Sequence, residues 1–256
     1  MPVEELTRLI NREDARVSAA IEKALPAVNR LIHAIVECLR AGGRLFYVGA
    51  GSGGRLSVLD IIELPTTFGL PKGIVNTILA GGIPRLAEAR EEMEDDAGAG
   101  WAALQEHTIA PTDIVIGISA SGTTPFVLGA LTECRRHRVP TGCIVSNPGS
   151  PIAAAADYPV EVITGPEFLT GSTRMKCGTA QKMLFDMIST TTMILLGRVL
   201  DNQMIDVLLI NDKITDRAVH ILMEKAGIAD YAKARDTLLT HGSVRDALVH
   251  LNIPIA

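Results

Sequence analysis

This chain is expected to fold as an α/β protein on a doubly wound parallel sheet of about five strands, with N-terminal helices and a helical C-terminal tail. Three observations point there. Short continuous apolar runs alternate with longer segments whose apolar residues recur at helical spacing. Each apolar run ends in a turn of glycines or hydroxyl residues. Hydrophobic residues make up 47% of the 256 positions and aromatics only 4%, so the core is aliphatic. Strands alternating with helices wind a parallel sheet covered on both faces, and ligands of such a sheet sit beyond the carboxyl ends of its strands.

Residues 1–41 read as helical. Leu6, Leu9 and Ile10, then Ile21, Leu25, Val28, Leu31, Ile32, Ile35, Val36 and Leu39 keep the spacing, with a break or kink allowed at Pro26 and an end at Gly42-Gly43. A strand over 45–49 follows. It runs through Ala50-Gly51-Ser52-Gly53-Gly54 into a helix over 54–63, and Pro65 and Pro71 mark a loop. Residues 74–79 give a second strand. A charge-rich helix is expected from about Pro84 to Asp96, and another over 101–107. The run 114–118 is a third, buried strand, followed by Ser119-Ala120-Ser121-Gly122-Thr123-Thr124 and a helix from Pro125 to Arg138. Residues 141–145 form the fourth strand and 160–163 a short fifth. A long buried helix spans 171–200, and 204–251 is helical with breaks at Gly227 and Gly242. This divides the chain into 1–200, the sheet domain with its N-terminal helices, and 201–256, a helical extension.

Several classes drop out on composition. A net charge of −5 argues against a dedicated nucleic-acid binder. No apolar run approaches a membrane span, and Met1-Pro2-Val3-Glu4-Glu5 does not open a signal peptide. Cys38, Cys134, Cys143 and Cys177 form no C-x-x-C pair, which suits reduced, mostly buried thiols in a cytoplasmic protein. The six histidines show no metal-binding spacing.

Two turns carry the chemistry. After the first strand, a glycine turn brings backbone N–H groups to a helix N-terminus, where an anion is favoured. Gly51, Ser52 and Gly53 are the candidate contacts. The segment fits a loose G-x-G-x-x-G, but the second strand ends in Ala80-Gly81-Gly82 rather than the acid a dinucleotide site wants, and no Lys-Ser/Thr follows as in a P-loop. After the third strand, Ser119, Ser121, Gly122 and Thr124 offer hydroxyls and N–H groups that can surround a phosphate without a lysine. Capping and turn chemistry is the competing explanation for both turns.

The Ser119–Pro125 segment resembles the sugar-phosphate-binding loop of the sugar isomerase (SIS) domain. Gly49-Ala50-Gly51, Gly54-Arg55-Leu56, Val58-Leu59-Asp60, Glu63, Pro65 and Thr67-Phe68-Gly69 are similar to the signature of the N-acetylmuramic acid 6-phosphate etherases. So is Gly171-Ser172-Thr173-Arg174-Met175-Lys176-Cys177-Gly178-Thr179-Ala180-Gln181-Lys182. The resemblance runs from about Leu9 to Leu251. The chain departs from the family's usual Thr-Ser at Ser52-Gly53 and from its usual Ala-Ser-Glu-Cys-Pro-Pro at 61–66.

The resemblance implies a lyase acting on a phosphorylated amino sugar that bears a lactyl ether at C3, releasing D-lactate and forming N-acetylglucosamine 6-phosphate by elimination then hydration. It implies Glu63 as proton donor and Glu94 as base, with no metal or organic cofactor. The apolar flanks Ile61, Ile62 and Leu64 are expected to desolvate Glu63. Glu94 sits in a run of acids that otherwise reads as a solvated face. Arg174 and Lys176 are placed either to neutralise phosphate or lactyl carboxylate, or to tie down a helix start or a dimer contact. A homodimer is expected. The alternatives are a non-catalytic sugar-phosphate sensor, resembling the glucokinase regulatory protein, and an aldose–ketose isomerase on the same domain.

Overall fold

The computed structural model describes residues 1–88 and 91–255; the side chains at 85 and 91 also lie outside the description. Two compact units emerge, Met1–Ile61 with Gly73–Ile188, and Ile62–Lys72 with Ser189–Ala256.

The first unit is the expected wound sheet. Strands β1 (Leu45–Gly49), β2 (Val75–Leu79), β3 (Ile114–Ser119), β4 (Thr141–Val145) and β5 (Tyr158–Glu161) lie in the order β2-β1-β3-β4-β5, all parallel. β1, β3 and β4 are buried along their whole length, which is why they read as unbroken apolar runs. β5 begins two residues earlier than expected. Its pairing of Tyr158 with Gly142 sets the register, and Pro159 is tolerated because the strand is at the sheet edge. One face carries an aliphatic cluster in which Val115, Val127, Leu131 and Val145 meet Leu104 of α4 (Ala99–Glu106). Val127 and Leu131 belong to α5 (Pro125–Arg136).

At the N-terminus, α1 (Val3–Asp14) and α2 (Arg16–Arg40) replace the single expected stretch. Pro26 does not break α2, because Ile21 and Ala24 before it and Val28, Leu31 and Ile35 after it are all buried and hold both halves in place. α1 buries no residue of its own. It is tied instead through Glu13, whose Oε2 accepts from Lys176 Nζ at 2.7 Å; Lys176 is 1% exposed. That hydrogen bond lowers the Glu13 carboxyl below its ordinary 4.5. A lowered carboxyl contributes stability above its unfolded value and loses it as pH falls through the folded one. Protection factors of the α1 amides, with the intrinsic pH dependence of exchange divided out, are therefore expected to stay flat from neutral pH down to the ordinary carboxylate range and to fall below it. E13Q should lower the protection at neutral pH and converge with wild type at acid pH, where Glu13 is protonated.

The charge-rich helix expected over 84–96 is absent from the described residues. The chain makes two short 3-10 turns, Ile83–Arg85 and Glu91–Glu94, and residues 89–90 lie outside the description. Acids at 88, 91, 92, 94, 95 and 96 place like charges one helical turn apart, which opposes an α-helix. Asp96 ends the run just before α4, whose N-cap is Gly98, and its Oδ1 accepts from the N–H groups of Gly98 and Ala99 at 2.9 and 3.1 Å.

Two helices pass from the first unit into the second. α3 (Gly51–Phe68) continues past the expected stop at residue 63 and through Pro65, held by buried Leu64 and Phe68. α7 (Lys176–Leu195) begins later than 171, because Glu167 accepts from the N–H groups of Lys176 and Cys177 at 2.8 and 2.9 Å and fixes the first turn there. Between β4 and β5 lies the short α6 (Pro151–Ala155), capped by Ser150.

In the second unit the antiparallel pair β6 (Val199–Leu200) and β7 (Gln203–Met204) precedes α8 (Asp212–Ala226), α9 (Tyr231–His241) and α10 (Val244–His250). Asn211, Asp230 and Ser243 cap the three N-termini, and Gly227 and Gly242 end α8 and α9 in left-handed conformations at φ +65° and +82°. Leu222, Leu238, Val244 and Leu248 form its core with Ile205 and Val207. Asp206 holds Arg245 through Nε at 2.5 Å and Nη2 at 2.8 Å, and Arg198 lies 3.6 Å away. Asp206→Ala leaves two guanidinium groups facing each other without their shared carboxylate. It is expected to cost about 2–3 kcal/mol, read as an early loss of tail helicity in urea.

Among the described residues no helix is long and apolar enough to cross a membrane.

Candidate active site

The sheet order reverses at β1, with β2 on one side and β3 on the other, so the carboxyl ends of β1 and β3 flank the topological switch point. A cavity of about 120 Å³ opens there. The first turn of α3 supplies Gly51, Ser52 and Gly53, and the turn after β3 supplies Ser119, Ser121 and Thr124. Glu94, Thr173 and Gln181 complete the polar lining.

Glycine is required where strand and helix nearly touch. A Cβ at Gly54 would stand 2.8 Å from the Gly49 carbonyl carbon and 2.6 Å from Leu79 Cδ1. With Gly54 N–H donating to Ala50 O at 3.0 Å, the helix starts directly at the strand end. Its preceding N–H groups have no carbonyl a turn earlier in the helix to bond.

The hydroxyl turn is organised internally. Ser119 Oγ lies 2.8 Å from Thr124 Oγ1 and 3.3 Å from Ser121 Oγ, and it accepts from Gly122 N–H at 3.1 Å. Thr123 Oγ1 donates to Ser121 Oγ at 3.0 Å. Gly122 has φ +74°, and a Cβ there would stand 2.2 Å from Ser150 Oγ. Thr124 stands at the N-cap of α5 without a side-chain capping bond, so its hydroxyl is engaged with Ser119 instead. The turn after β4 supports this loop rather than lining the cavity. Ser146 N–H and Asn147 Nδ2 donate to Ala120 O at 3.1 and 2.9 Å, and Ile152 N–H donates to Gly122 O at 3.0 Å.

Seven of the ten residues singled out from sequence line this cavity: Gly51, Ser52, Gly53, Ser119, Ser121, Thr124 and Glu94. Gly122 shapes the loop from behind. Arg174 is exposed and is not among the lining residues, although its neighbour Thr173 is. Lys176, one of two candidate cations, is buried against Glu13 and spends its charge there. Glu63 belongs to the second unit, on the later turns of α3, with its side chain exposed. The expected apolar enclosure does not form around it within this chain, since Ile62 is 58% exposed and only Leu64 is buried.

Among the described residues Glu94 is the one charged group in the cavity wall. A Cβ built on Gly51, itself at φ +52°, would stand 3.0 Å from Glu94 Oε1, so the carboxylate lies against the first turn of α3. Thr173 and Gln181 were not picked out from sequence. Gln181 did leave a signal: it is the polar member of the buried stripe Cys177, Gln181, Leu184 and Ile188 on α7. The cysteines have no part in the cavity. Burial pushes Cys134 and Cys143 up to about 12, and Cys38 to about 11.

A wound parallel sheet with a hydroxyl cradle at its switch point defines an SIS-domain protein. The SIS domain model matches residues 102–190, and the model of the glucokinase regulatory protein N-terminal SIS domain matches residues 27–135. A similar fold occurs in the phosphoheptose isomerase of Neisseria gonorrhoeae, at 15% identity and a TM-score of 0.55, covering 75% of this chain and 98% of that one. Two far closer relatives carry one name, N-acetylmuramic acid 6-phosphate etherase. The protein from Porphyromonas gingivalis is 53% identical over 95% of this chain and 88% of its own. That from Bacteroides thetaiotaomicron is 50% identical over 96% and 88%. The chain belongs to the N-acetylmuramic acid 6-phosphate etherase family.

Proposed function

We propose that this protein is a cofactor-independent lyase that cleaves the lactyl ether of N-acetylmuramic acid 6-phosphate, with Glu94 as base and Glu63 as acid. The observation that carries this reading is a carboxylate, Glu94, set against the first turn of α3 in a cavity otherwise lined by hydroxyls, an amide and backbone. An anion-binding turn alone would serve a sensor equally well; a base placed beside it serves proton abstraction next to a phosphorylated sugar.

The phosphate sits among Ser119, Ser121, Thr124 and the N–H groups at the start of α3, where dipoles balance a dianion without a lysine. Ring opening gives a C1 aldehyde, which acidifies the C2 proton. Glu94 removes that proton. The electron pair forms the C2–C3 double bond as the C3–O bond breaks, and Glu63 donates a proton to the departing lactate oxygen. Water then adds its hydroxyl to C3 and a proton to C2, giving N-acetylglucosamine 6-phosphate. One water is consumed, and both carboxyl groups return to their starting states.

The phosphate cradle and the sheet rim belong to a cytoplasmic enzyme of amino sugar recycling that acts as a homodimer. Incubation with N-acetylmuramic acid 6-phosphate should release D-lactate and N-acetylglucosamine 6-phosphate in equal amounts. Ketose formation, or binding with no lactate at any enzyme concentration, overturns the reading.

A further inference from the structure

Gln181 is a buried amide without a protein partner. It is 2% exposed, it lines the cavity, and its carboxamide makes no hydrogen bond among the described residues. The residue is buried as a whole, yet its polar atoms are not among the sealed, unpartnered ones; they face the cavity, where a ligand can meet them. Its position says what that ligand is. A Cβ on Gly53 would meet the Gln181 carboxamide oxygen at 3.0 Å and Ile118 Cγ2 at 2.8 Å, so the absent side chain at 53 is the room the amide occupies. The amide therefore lies beside the first turn of α3, where the helix favours an anion. Oxygen and nitrogen of a carboxamide exchange by a simple flip, so either end can face the cavity. Among the described residues no lysine or arginine lines the cavity, and the charge that Glu94 brings is negative. The Gln181 amide adds a further neutral donor beside the hydroxyls.

We propose that the Gln181 carboxamide turns its NH₂ into the cavity and donates to a phosphate oxygen of the bound sugar, so that it is a substrate-binding residue of this site. The assignment rests on the phosphosugar reading above and deepens it. Gln181 reaches the cradle beside Gly53, doing from α7 what a hydroxyl at position 53 would otherwise do from α3.

The test is calorimetric titration of N-acetylglucosamine 6-phosphate into the full-length protein and its Q181L and Q181E variants, with thermal denaturation of each unliganded protein. A hydrogen bond to a charged group is worth a factor of roughly 10 to 150. Q181L is expected to weaken binding by about that factor while melting near wild type, since the carboxamide makes no hydrogen bond to another described residue that would be lost. Q181E keeps the shape but sets a carboxylate against the phosphate, and should bind more weakly than Q181L. Affinity within threefold of wild type in either variant overturns the assignment. So does Q181E binding as well as or better than Q181L, because a carboxylate still accepts from a sugar hydroxyl. If Q181L fails to fold, Q181E alone decides by the same threefold limit. Wild-type protein that binds the phosphosugar yet releases no lactate removes the etherase chemistry and leaves this measurement standing. Lactate release with unchanged affinity in both variants does the reverse.

Discussion

Glu94→Gln is expected to lower kcat for lactate release by about 10²–10⁴-fold, the usual range for losing a positioned acid or base. It should leave phosphosugar binding near wild type, or tighten it. The tightening follows from charge. Glu94 lies against Gly51, at the same helix start that is to hold the phosphate. Two anions sharing one cradle repel, and replacing the carboxylate by an amide removes that repulsion from the bound state. The same closeness is useful to the enzyme, since a phosphate dianion near a carboxylate favours its taking up a proton. Binding the head group thus makes Glu94 a better base at the moment the C2 proton is presented. Deuterium incorporation at C2 from heavy water measures the step directly. E94Q should abolish exchange along with lactate release. Normal exchange in E94Q assigns the base elsewhere.

The sheet and the two anion-binding turns were legible because their causes are local. An unbroken run such as Ile114–Ile118 has one stable home, a strand covered on both faces, and the serines and threonines directly after it can fall only at its carboxyl end. The misreadings have local causes too, overruled by packing. Pro65 signals a helix end, but Leu64 and Phe68 are buried on the turns around it and carry α3 onward. Pro84 followed by a run of glutamates resembles a helix start, yet the like charges leave only 3-10 turns. What stayed hidden was assembly between distant segments. Gln181 meets Gly53 across 128 positions of sequence, and only the fold reveals that the small residue at 53 and the polar residue at 181 occupy one space. Lys176 was equally ambiguous as a cation, because the Glu13 that claims it lies at the other end of the unit's sequence.

Glu63→Gln should match E94Q in lactate release, about 10²–10⁴-fold down, and differ from it in everything upstream. The base remains, so the C2 proton should still be lost and regained, and substrate recovered from heavy water should carry deuterium at C2. What stops is departure of the lactate, whose oxygen is a poor leaving group until it is protonated. Exchange without elimination is therefore the signature of E63Q, and loss of both is the signature of E94Q. The contrast separates a proton donor from a residue that merely supports α3, because a misfolded helix would impair cradle and base together, the first turn of α3 being part of both. Far-ultraviolet circular dichroism and N-acetylglucosamine 6-phosphate affinity should be unchanged in E63Q, since its side chain is exposed on the later turns of the helix and none of the cavity's lining residues depends on it for a hydrogen bond. If E63Q releases lactate within threefold of wild type, the donor is another group. If it loses C2 exchange as well, Glu63 acts before the elimination, and the division of labour between the two carboxylates must be redrawn.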